Sequence, residues 1–185
     1  VNVAQHYKNC NFLGIDISDT SLKISKIIKN KNNLKNIEFK KYNLMNPTFN
    51  LGKFDFILSM GVLHHLSNPN KGLENILKVL KKDGMIFVYL YGKLGGHKRI
   101  LNKKLLSLLL NKKKSDYDLG IKLVRDLDMN KFEYGWNLNF KNKEEEDSLI
   151  VDSLLHANEK LYDFNDIHKL FKNSDLFGYS IFGIS

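Results

Sequence analysis

The 185-residue sequence predicts an α/β fold built around a mostly parallel sheet. Two observations lead to this prediction. Short apolar segments of strand length alternate with amphipathic helix patterns, and some of these segments are apolar almost without interruption, which is typical of strands buried on both faces. Strands that alternate with helices form parallel sheets with right-handed crossovers. The predicted strands cover residues 12–17, 37–42, 54–60 and 85–90. We expect all four in one sheet, with the second strand at an edge beside the first.

The first helices follow from capping residues and from apolar spacing. Residues 1–7 resemble the end of a helix, because they carry no start signal of their own. Ser18 or Asp19 is suited to cap the next helix. The expected apolar face of that helix includes Ile24, Ile27 and Ile28. The Lys- and Asn-rich residues 29–35 then form a loop.

Asn68 and Pro69 predict the start of the next helix, since a capping amide followed by proline at the first helical position is a common start signal. The expected apolar stripe of this helix consists of Leu73, Ile76, Leu77 and Leu80. We expect Gly84 to end the helix, directly before the strand at residues 85–90.

After Gly95 and Gly96 the pattern changes from alternating strands and helices to helices. The predicted elements are helices at residues 98–110, 118–127 and 148–156, a last helix capped by Asp163, and a strand at residues 178–184. Trp136 lies in a loop-like region. For residues 98–110 packing in a core or lid is favoured over a membrane surface, because too many positions are apolar for a narrow interfacial face. We therefore divide the chain into a core (1–95) and a helical lid or insertion with the start of the C-terminal strands (96–185).

The composition excludes several classes of protein. Hydrophobic residues make up 43% and charged residues 26% of the chain, which is typical of a globular protein. No apolar run approaches the roughly 18 residues that a membrane span needs. The single cysteine, Cys10, excludes an internal disulfide framework and fits a reducing compartment. We therefore expect a cytoplasmic protein with no membrane partner.

The net charge of +9 raises the question of nucleic-acid binding. Among 29 basic residues only Arg99 and Arg125 are arginines, whereas arginine is preferred for contacts with phosphates and bases. The lysines are spread along the chain without interleaved aromatic residues that would stack on bases. These features favour a solvated lysine surface over a nucleic-acid interface, although the second interpretation stays open.

Asp16 is the residue that points most directly to a ligand. It stands at the end of the first predicted strand, and ligands of open α/β sheets bind beyond the carboxyl ends of the strands. One ionised carboxylate can accept from both hydroxyl groups of a ribose, which is how nucleoside sites use such an acid. The alternative is an acid that supports the start of the following helix together with Ser18.

Three segments resemble the class I S-adenosylmethionine-dependent methyltransferases in their order and spacing. They are Gly14-Ile-Asp-Ile-Ser18, Phe54-Asp-Phe-Ile-Leu-Ser-Met-Gly-Val-Leu-His-His-Leu66 and Leu80-Lys-Lys-Asp-Gly84. The resemblance covers residues 1–91. It implies a Rossmann-like, doubly wound sheet, of which this chain holds a part, and S-adenosylmethionine as the cofactor.

The resemblance also implies the residues that contact this cofactor. Asp16 would bind the ribose, and Ile17 would pack on the adenine face. Asn43, followed by Leu44, stands where the family usually has an aspartate that accepts from the adenine amino group; a turn asparagine is the alternative. Ser59, Met60 and Gly61 would meet the methionine part, with Gly61 permitting a close approach of the backbone.

His64 and His65 are candidates for a catalytic base, although a packing or helix-capping role is favoured for the pair. Adjacent histidines point in different directions, so the two are not expected to act together. We expect no metal site, because the other potential ligands lack metal-site spacing. These are His6, Cys10, His97, His156 and His168.

The functional hypothesis is methyl transfer from S-adenosylmethionine to a small-molecule acceptor. The alternatives are a nucleic-acid-modifying or nucleic-acid-binding protein that uses the lysine surface, and a non-catalytic partner with the methyltransferase fold. The family's first strand and glycine-rich loop would precede Val1. We therefore expect a fragment of a longer protein, whose 185 residues alone bind the cofactor weakly or not at all and associate through unpaired strand edges.

Overall fold

The computed structural model describes residues 1–47, 49–93, 96–110, 116–129, 142–155, 159–172, 174, 176 and 178–181. Its contacts divide the chain into two compact units, Val1–Gly52 and Lys53–Ser185. Each unit is described by itself below. The predicted division into a core (1–95) and a helical lid or insertion (96–185) stays a prediction.

The first unit consists of two helices and two strands. In chain order these are α1 (Asn2–His6), β1 (Phe12–Asp16), α2 (Asp19–Lys31) and β2 (Ile37–Lys41). The strands pair in parallel, with Phe12 opposite Ile37 and Asp16 opposite Lys41. The predicted cap is confirmed, since Ser18 Oγ accepts from the Ser21 amide at 3.3 Å. The predicted pairing of the second strand with the first is confirmed as well.

The sequence prediction for α2 was wrong about which side of the helix is buried. Leu22 is the buried residue of α2, whereas Ile24 and Ile27 are more than half exposed and Ile28 is 39% exposed. The helix packs on a sheet of only two strands. So narrow a sheet covers a narrow stripe of a helix, and the wider apolar face that the sequence predicts is left uncovered within this unit.

The second unit begins with a strand–helix–strand motif formed by β3 (Phe54–Met60), α3 (Pro69–Leu77) and β4 (Leu80–Tyr89). The two strands are parallel, and Met60 lies opposite Tyr89 at their carboxyl ends. The start of α3 is confirmed, because Asn68 Oδ1 accepts from the Lys71 amide at 3.1 Å.

The end of α3 differs from the sequence prediction. The helix stops at Leu77, and β4 begins at Leu80 rather than at residue 85. The cause is a long-range contact, since the Phe54 amide donates to the Val79 carbonyl at 2.8 Å and draws the chain into the sheet early. Gly84 therefore lies inside β4, where a Cβ atom would come within 3.0 Å of the Asp55 carbonyl oxygen. It does not end the helix.

The four strands form two separate two-stranded sheets, so the prediction of one continuous sheet was wrong for the described residues. The parallel direction of both pairs is nevertheless as predicted.

One face of the β3–β4 sheet carries exposed apolar side chains. Their exposed fractions are 52% for Phe56, 46% for Leu58, 54% for Met60, 66% for Met85 and 44% for Phe87. The intervening Ser59 is buried, as expected for alternating faces. The near-continuous apolar run predicted burial on both faces, whereas these side chains on one face are exposed among the described residues of this unit.

The rest of the second unit is helical. It contains α4 (His97–Leu109), α5 (Asp116–Asp126), α6 (Lys143–Ile150), a π-helical turn (Val151–Leu155) and α7 (Phe164–Lys172). A buried cluster joins α4, α5, α6 and the π-helical turn through Leu106, Val124, Met129, Ile150 and Leu154. No helix among the described residues is long and apolar enough to cross a membrane.

Most of the predicted helices in this region are confirmed within a few residues. The helix predicted at residues 148–156 begins earlier, at Lys143, and becomes π-helical at Val151, and His156 lies outside the described residues. The predicted strand at residues 178–184 was wrong for residues 178–181, which are irregular, and its remainder also lies outside the described part, as does Trp136.

Candidate functional site

The residues predicted to bind the cofactor lie at the carboxyl ends of β1, β2 and β3. The first two ends belong to the first unit and the third belongs to the second unit. Ligands of open α/β sheets bind beyond strand ends of this kind, so each end is described in turn.

The end of β1 presents an exposed carboxylate beside an exposed apolar side chain. Asp16 Oδ1 accepts from the Ser18 amide at 2.8 Å, so the aspartate does support the start of α2. A carboxylate has about four acceptor positions, and this single local bond leaves capacity for two ribose hydroxyls. Ile17 is 60% exposed and lies next to Asp16 in the chain. The structural role and the predicted ligand role are therefore compatible in the same side chain.

The end of β2 is a tight turn. Asn43 Oδ1 accepts from the Met45 amide at 2.9 Å, which is the contact of a turn asparagine. Both Asn43 and Leu44 are half-buried. An amide oxygen has a second acceptor position, so a bond from the adenine amino group stays a prediction. The turn role of Asn43 is directly supported by its geometry.

The end of β3 combines a buried hydroxyl with a strained backbone position. Ser59 is 5% exposed, and its Oγ has no hydrogen-bond partner among the described residues. Met60 is about half exposed. Gly61 has a φ of +65°, and its amide donates to the Tyr89 carbonyl at 3.3 Å. A Cβ atom here would meet nothing closer than 3.9 Å, so backbone conformation rather than space favours glycine.

The two histidines occupy different environments. They lie in a short 3-10 turn, Leu63–His65, which we call the histidine turn. In it Leu63 is fully buried and His64 is 1% exposed. The His64 ring lies 4.0 Å from the Tyr91 ring and 4.1 Å from the His65 ring, measured between centroids. His65 is half-buried. This geometry supports the packing role for His64, and His65 is the histidine of the pair that reaches solvent.

A segment far along the sequence is hydrogen-bonded to this turn, and no sequence pattern predicts that contact. We call residues 159–163 the clasp. The Lys160 amide donates to the His64 carbonyl, and the Tyr162 amide donates to the Tyr91 carbonyl, each at 2.9 Å. The Lys93 amide donates in turn to the Tyr162 carbonyl at 2.9 Å. The sequence signal for the clasp is the adjacent pair of apolar residues Leu161 and Tyr162. In the structure both side chains are buried.

The clasp also carries a buried acid. The Glu159 side chain is 4% exposed and pairs with Arg99 at 2.9 Å and with Lys103 at 2.7 Å. The Arg99 guanidinium lies over the Tyr91 ring, 4.4 Å from its centroid, which is cation–π geometry. Glu159 is therefore connected to the histidine turn through Arg99 and Tyr91.

Two titratable groups of the clasp have shifted pKa values. Burial, and then the negative charge of Asp166, raise the pKa of Tyr162 to about 12, so this phenol is neutral at physiological pH. A hydrogen bond from Lys93, and then the Asp166 amide, lower the pKa of Asp163 to about 2. Asp163 Oδ1 accepts from the Asp166 amide at 2.8 Å and Asp166 Oδ2 accepts from the Asp163 amide at 3.2 Å, so the pair also caps α7.

Two strand ends have chemistry suited to parts of a nucleoside cofactor, and their contacts with it stay predictions. At β1 the exposed Asp16 carboxylate and Ile17 suit a ribose and an aromatic base; at β3 Gly61 permits a close approach of the backbone, whereas the Ser59 hydroxyl is buried. No group of His, Cys, Asp and Glu side chains that could hold a metal ion occurs in the part of the chain that the structure describes.

Among curated proteins the chain is similar to two long relatives. It is 25% identical over 148 residues to the uncharacterized protein syc1184_c of Synechococcus sp., an alignment that covers 76% of this chain and 35% of the relative. It is 31% identical over 90 residues to the uncharacterized protein RP028 of Rickettsia prowazekii, which covers 48% of this chain and 36% of the relative. The chain thus spans about a third of the length of these relatives.

Solved structures show the same fold. The structure of PKMT2 from Rickettsia typhi superposes with a TM-score of 0.63 at 21% identity, covering 93% of this chain and 35% of PKMT2. The structure of PKMT2 in complex with AdoHcy gives a TM-score of 0.62 at 25% identity, with the same coverage. This chain therefore has the same α/β fold as the matching part of PKMT2.

The family assignment rests on the chain itself. A family model described as "Methyltransferase domain" matches residues 1–142, which include β1 to β4 and all the predicted cofactor-binding residues. Together with the AdoHcy complex, this match supports S-adenosylmethionine as the cofactor of the family. By this match and by its parallel α/β architecture, the chain belongs to the methyltransferase domain family.

Proposed function

We propose that this protein transfers a methyl group from S-adenosylmethionine to a small-molecule acceptor. The observation that carries the proposal is the family match over residues 1–142, within which Asp16 presents its carboxylate at the end of β1. Bound S-adenosylmethionine supplies an electrophilic methyl group on a sulfonium. The protein therefore has to hold the cofactor and align the acceptor, and provides a base only if the acceptor needs one.

In this proposal the residues of the first unit hold the nucleoside. Asp16 accepts from the ribose hydroxyls, Ile17 packs on the adenine face, and Asn43 and Leu44 contact the adenine edge. The exposure of Asp16 and Ile17 supports the first two roles, because neither side chain needs to move out of a core to reach a ligand.

In the second unit Ser59, Met60 and Gly61 contact the methionine part, and the acceptor lies beyond the histidine turn. A small acceptor is supported by the clasp, because its hydrogen bonds to the His64 and Tyr91 carbonyls place a further segment of chain beside the ends of β3 and β4. His65 is the candidate for the base, since His64 is buried in a ring stack.

A nucleic-acid acceptor is the second candidate, and one surface favours it. Lys26, Lys29 and Lys40 line a shallow groove between α2 and β2, together with Asn30 and Glu38. If this groove binds nucleic acid, the dissociation constant rises steeply with salt concentration, because neutralised phosphates release counterions. Binding without salt dependence, or no binding, favours the small-molecule acceptor.

Calorimetric titration tests the cofactor. S-adenosylmethionine and S-adenosylhomocysteine are titrated into the 185-residue chain and into an extended version, a longer protein that contains this chain, because the curated relatives are about three times its length. We expect no micromolar binding by the former and binding by the latter. Asp16→Ala in the extended version should weaken binding by about 1.5–3 kcal/mol, the usual contribution of a hydrogen bond to a charged group.

Asp19→Ala is the matched control, because Asp19 is an exposed acid at the start of the same helix and pairs with Lys41 rather than with the proposed ligand. The dissociation constant should stay unchanged in this variant. A folded Asp16→Ala protein with unchanged affinity would show that Asp16 only supports the helix start. An extended protein that binds neither compound would favour a non-catalytic partner with this fold.

A further inference from the structure

The buried carboxylate of Glu159 has no role in the function proposed so far. It is 4% exposed between Arg99 and Lys103, whose side chains are 16% and 17% exposed. Removing three charged groups from water is costly, and buried ion pairs of this kind add little net stability compared with apolar side chains of similar size. Stability alone therefore does not account for this cluster. Its geometry indicates another role, which is to fix the position of Arg99.

The cluster determines where Arg99 stands. With Glu159 fixing one edge of the guanidinium, the planar group lies 4.4 Å from the centroid of the Tyr91 ring. Tyr91 also contacts the His64 ring, at 4.0 Å between centroids, and the His65 ring lies edge-on to it at 6.1 Å. The order of contacts is Glu159 to Arg99 to Tyr91 to the histidine turn.

Backbone contacts tie the same acid to the same turn by a second route. Glu159 precedes Lys160, whose amide donates to the His64 carbonyl at 2.9 Å. Tyr162 donates through its amide to the Tyr91 carbonyl at the same distance. Anchoring the Glu159 side chain on α4 therefore also restrains the backbone that holds His64 and Tyr91.

We propose that Glu159 is a positioning residue that holds the His64–His65 turn in place at the end of β3. The link to catalysis rests on the proposed function, in which this turn borders the acceptor. Methyl transfer needs in-line alignment of the acceptor, and small misplacements of the groups around it reduce the rate strongly. Glu159 acts on this alignment through Arg99, Tyr91 and the clasp, without contact to the cofactor or to the acceptor.

The test uses the imidazole resonances of His64 and His65 in nitrogen-15 spectra of the extended protein, with and without S-adenosylhomocysteine. In Glu159→Gln we expect both histidine signals to shift in the ligand-free protein. Since the turn follows the residues that would meet the methionine part, S-adenosylhomocysteine should shift the His65 signal in the wild type and less in the variant. The dissociation constant should change less than about twofold, because the nucleoside is held elsewhere.

Glu146→Gln is the matched control. Glu146 pairs with Arg125 at 2.8 Å on α6, so the substitution removes the same charge from another ion pair of the same unit. The histidine signals should not move in this variant. If Glu159→Gln does not fold, Arg99→Lys replaces it, because lysine keeps the charge beside Glu159 but loses the planar stack on Tyr91.

Unchanged histidine signals in a folded Glu159→Gln or Arg99→Lys protein would overturn the proposal, as would equal shifts in Glu146→Gln. Failure of the proposed function gives a different result: S-adenosylhomocysteine does not bind the wild type. In that case the ligand-free spectra still decide whether Glu159 positions the turn.

Discussion

The ends of β1 and β3 carry the predicted cofactor contacts and are built in opposite ways. At β1 the side chain of Asp16 is exposed and bonds to Ser18, two positions further along the chain. At β3 the turn containing His64 is buried and is held by the clasp, which is distant in sequence. The first end is specified by its own sequence, whereas the second depends on long-range contacts. Substitutions should therefore affect ligand binding at the first and stability at the second.

The largest expected difference is in stability. Leu63→Ala removes a fully buried side chain from the histidine turn and should lower the free energy of unfolding by about 2–5 kcal/mol. Ile17→Ala, at the end of β1, removes a side chain that is 60% exposed and should change it by less than about 0.5 kcal/mol. Denaturant unfolding of both variants measures the two values. Equal losses would contradict the contrast between the two ends.

The next largest loss of stability is expected from a change of backbone conformation at the end of β3. Gly61→Ala places a Cβ atom at a φ of +65° and should cost about 1–2 kcal/mol, the usual penalty of the left-handed region. Gly92→Ala is the control, because a Cβ atom there meets nothing within 4 Å and the backbone φ is not in that region. Thermal and denaturant unfolding should separate the two variants. If Gly61→Ala is as stable as Gly92→Ala, the turn does not require glycine.

A smaller effect is expected at the end of β1, where the contacts are local. Ser18→Ala removes the cap of α2 and should lower the free energy of unfolding by about 1 kcal/mol. Ser21→Ala leaves the backbone donor of that cap in place and should be neutral or slightly stabilising, since alanine favours helices. The comparison is made by denaturant unfolding. A loss in Ser21→Ala equal to that in Ser18→Ala would mean that the cap does not stabilise α2.

These contrasts also explain what the sequence could predict. The cap at Ser18, the start of α3 at Asn68 and the strand-end position of Asp16 were predicted, because each depends on residues within a few positions. The early start of β4 at Leu80 was not predicted, because it follows from the contact of Val79 with Phe54. Apolar spacing gave the right helix at α2 but the wrong buried face, since spacing does not say how wide the opposing sheet is.

The clasp shows the same limit for the candidate site. Glu159 reads in sequence as an ordinary surface acid, and only the fold brings it to Arg99 and Lys103. His64 and His65 were identified as a pair, but their different burial depends on Tyr91 and on the backbone of Lys160. The candidate ligand-binding residues stand in a motif at a strand end, whereas Glu159, the proposed positioning residue, belongs to no motif.

The smallest expected effect concerns the acid side of the stability profile. Lys93 pairs with Asp163 at 2.7 Å and with Asp166 on the carboxyl side of β4, and this contact lowers the pKa of Asp163 to about 2. In the unfolded chain the pKa of an aspartate is near 3.9. Because the folded value is the lower one, the stabilisation is present above about pH 4 and is lost as the pH falls towards 2. Both side chains are nearly half exposed, so screening by solvent keeps the effect small.

Asp163→Asn tests this effect while keeping a side chain that caps helices equally well. The melting temperature of the variant should lie below that of the wild type at pH 6, and the difference should shrink between about pH 4 and pH 2. A double-mutant cycle with Lys93→Met isolates the ion pair, whose coupling should be full at pH 6 and much smaller at pH 2. A coupling that does not change with pH would show that Lys93 and Asp163 hold the clasp to β4 by packing rather than by charge.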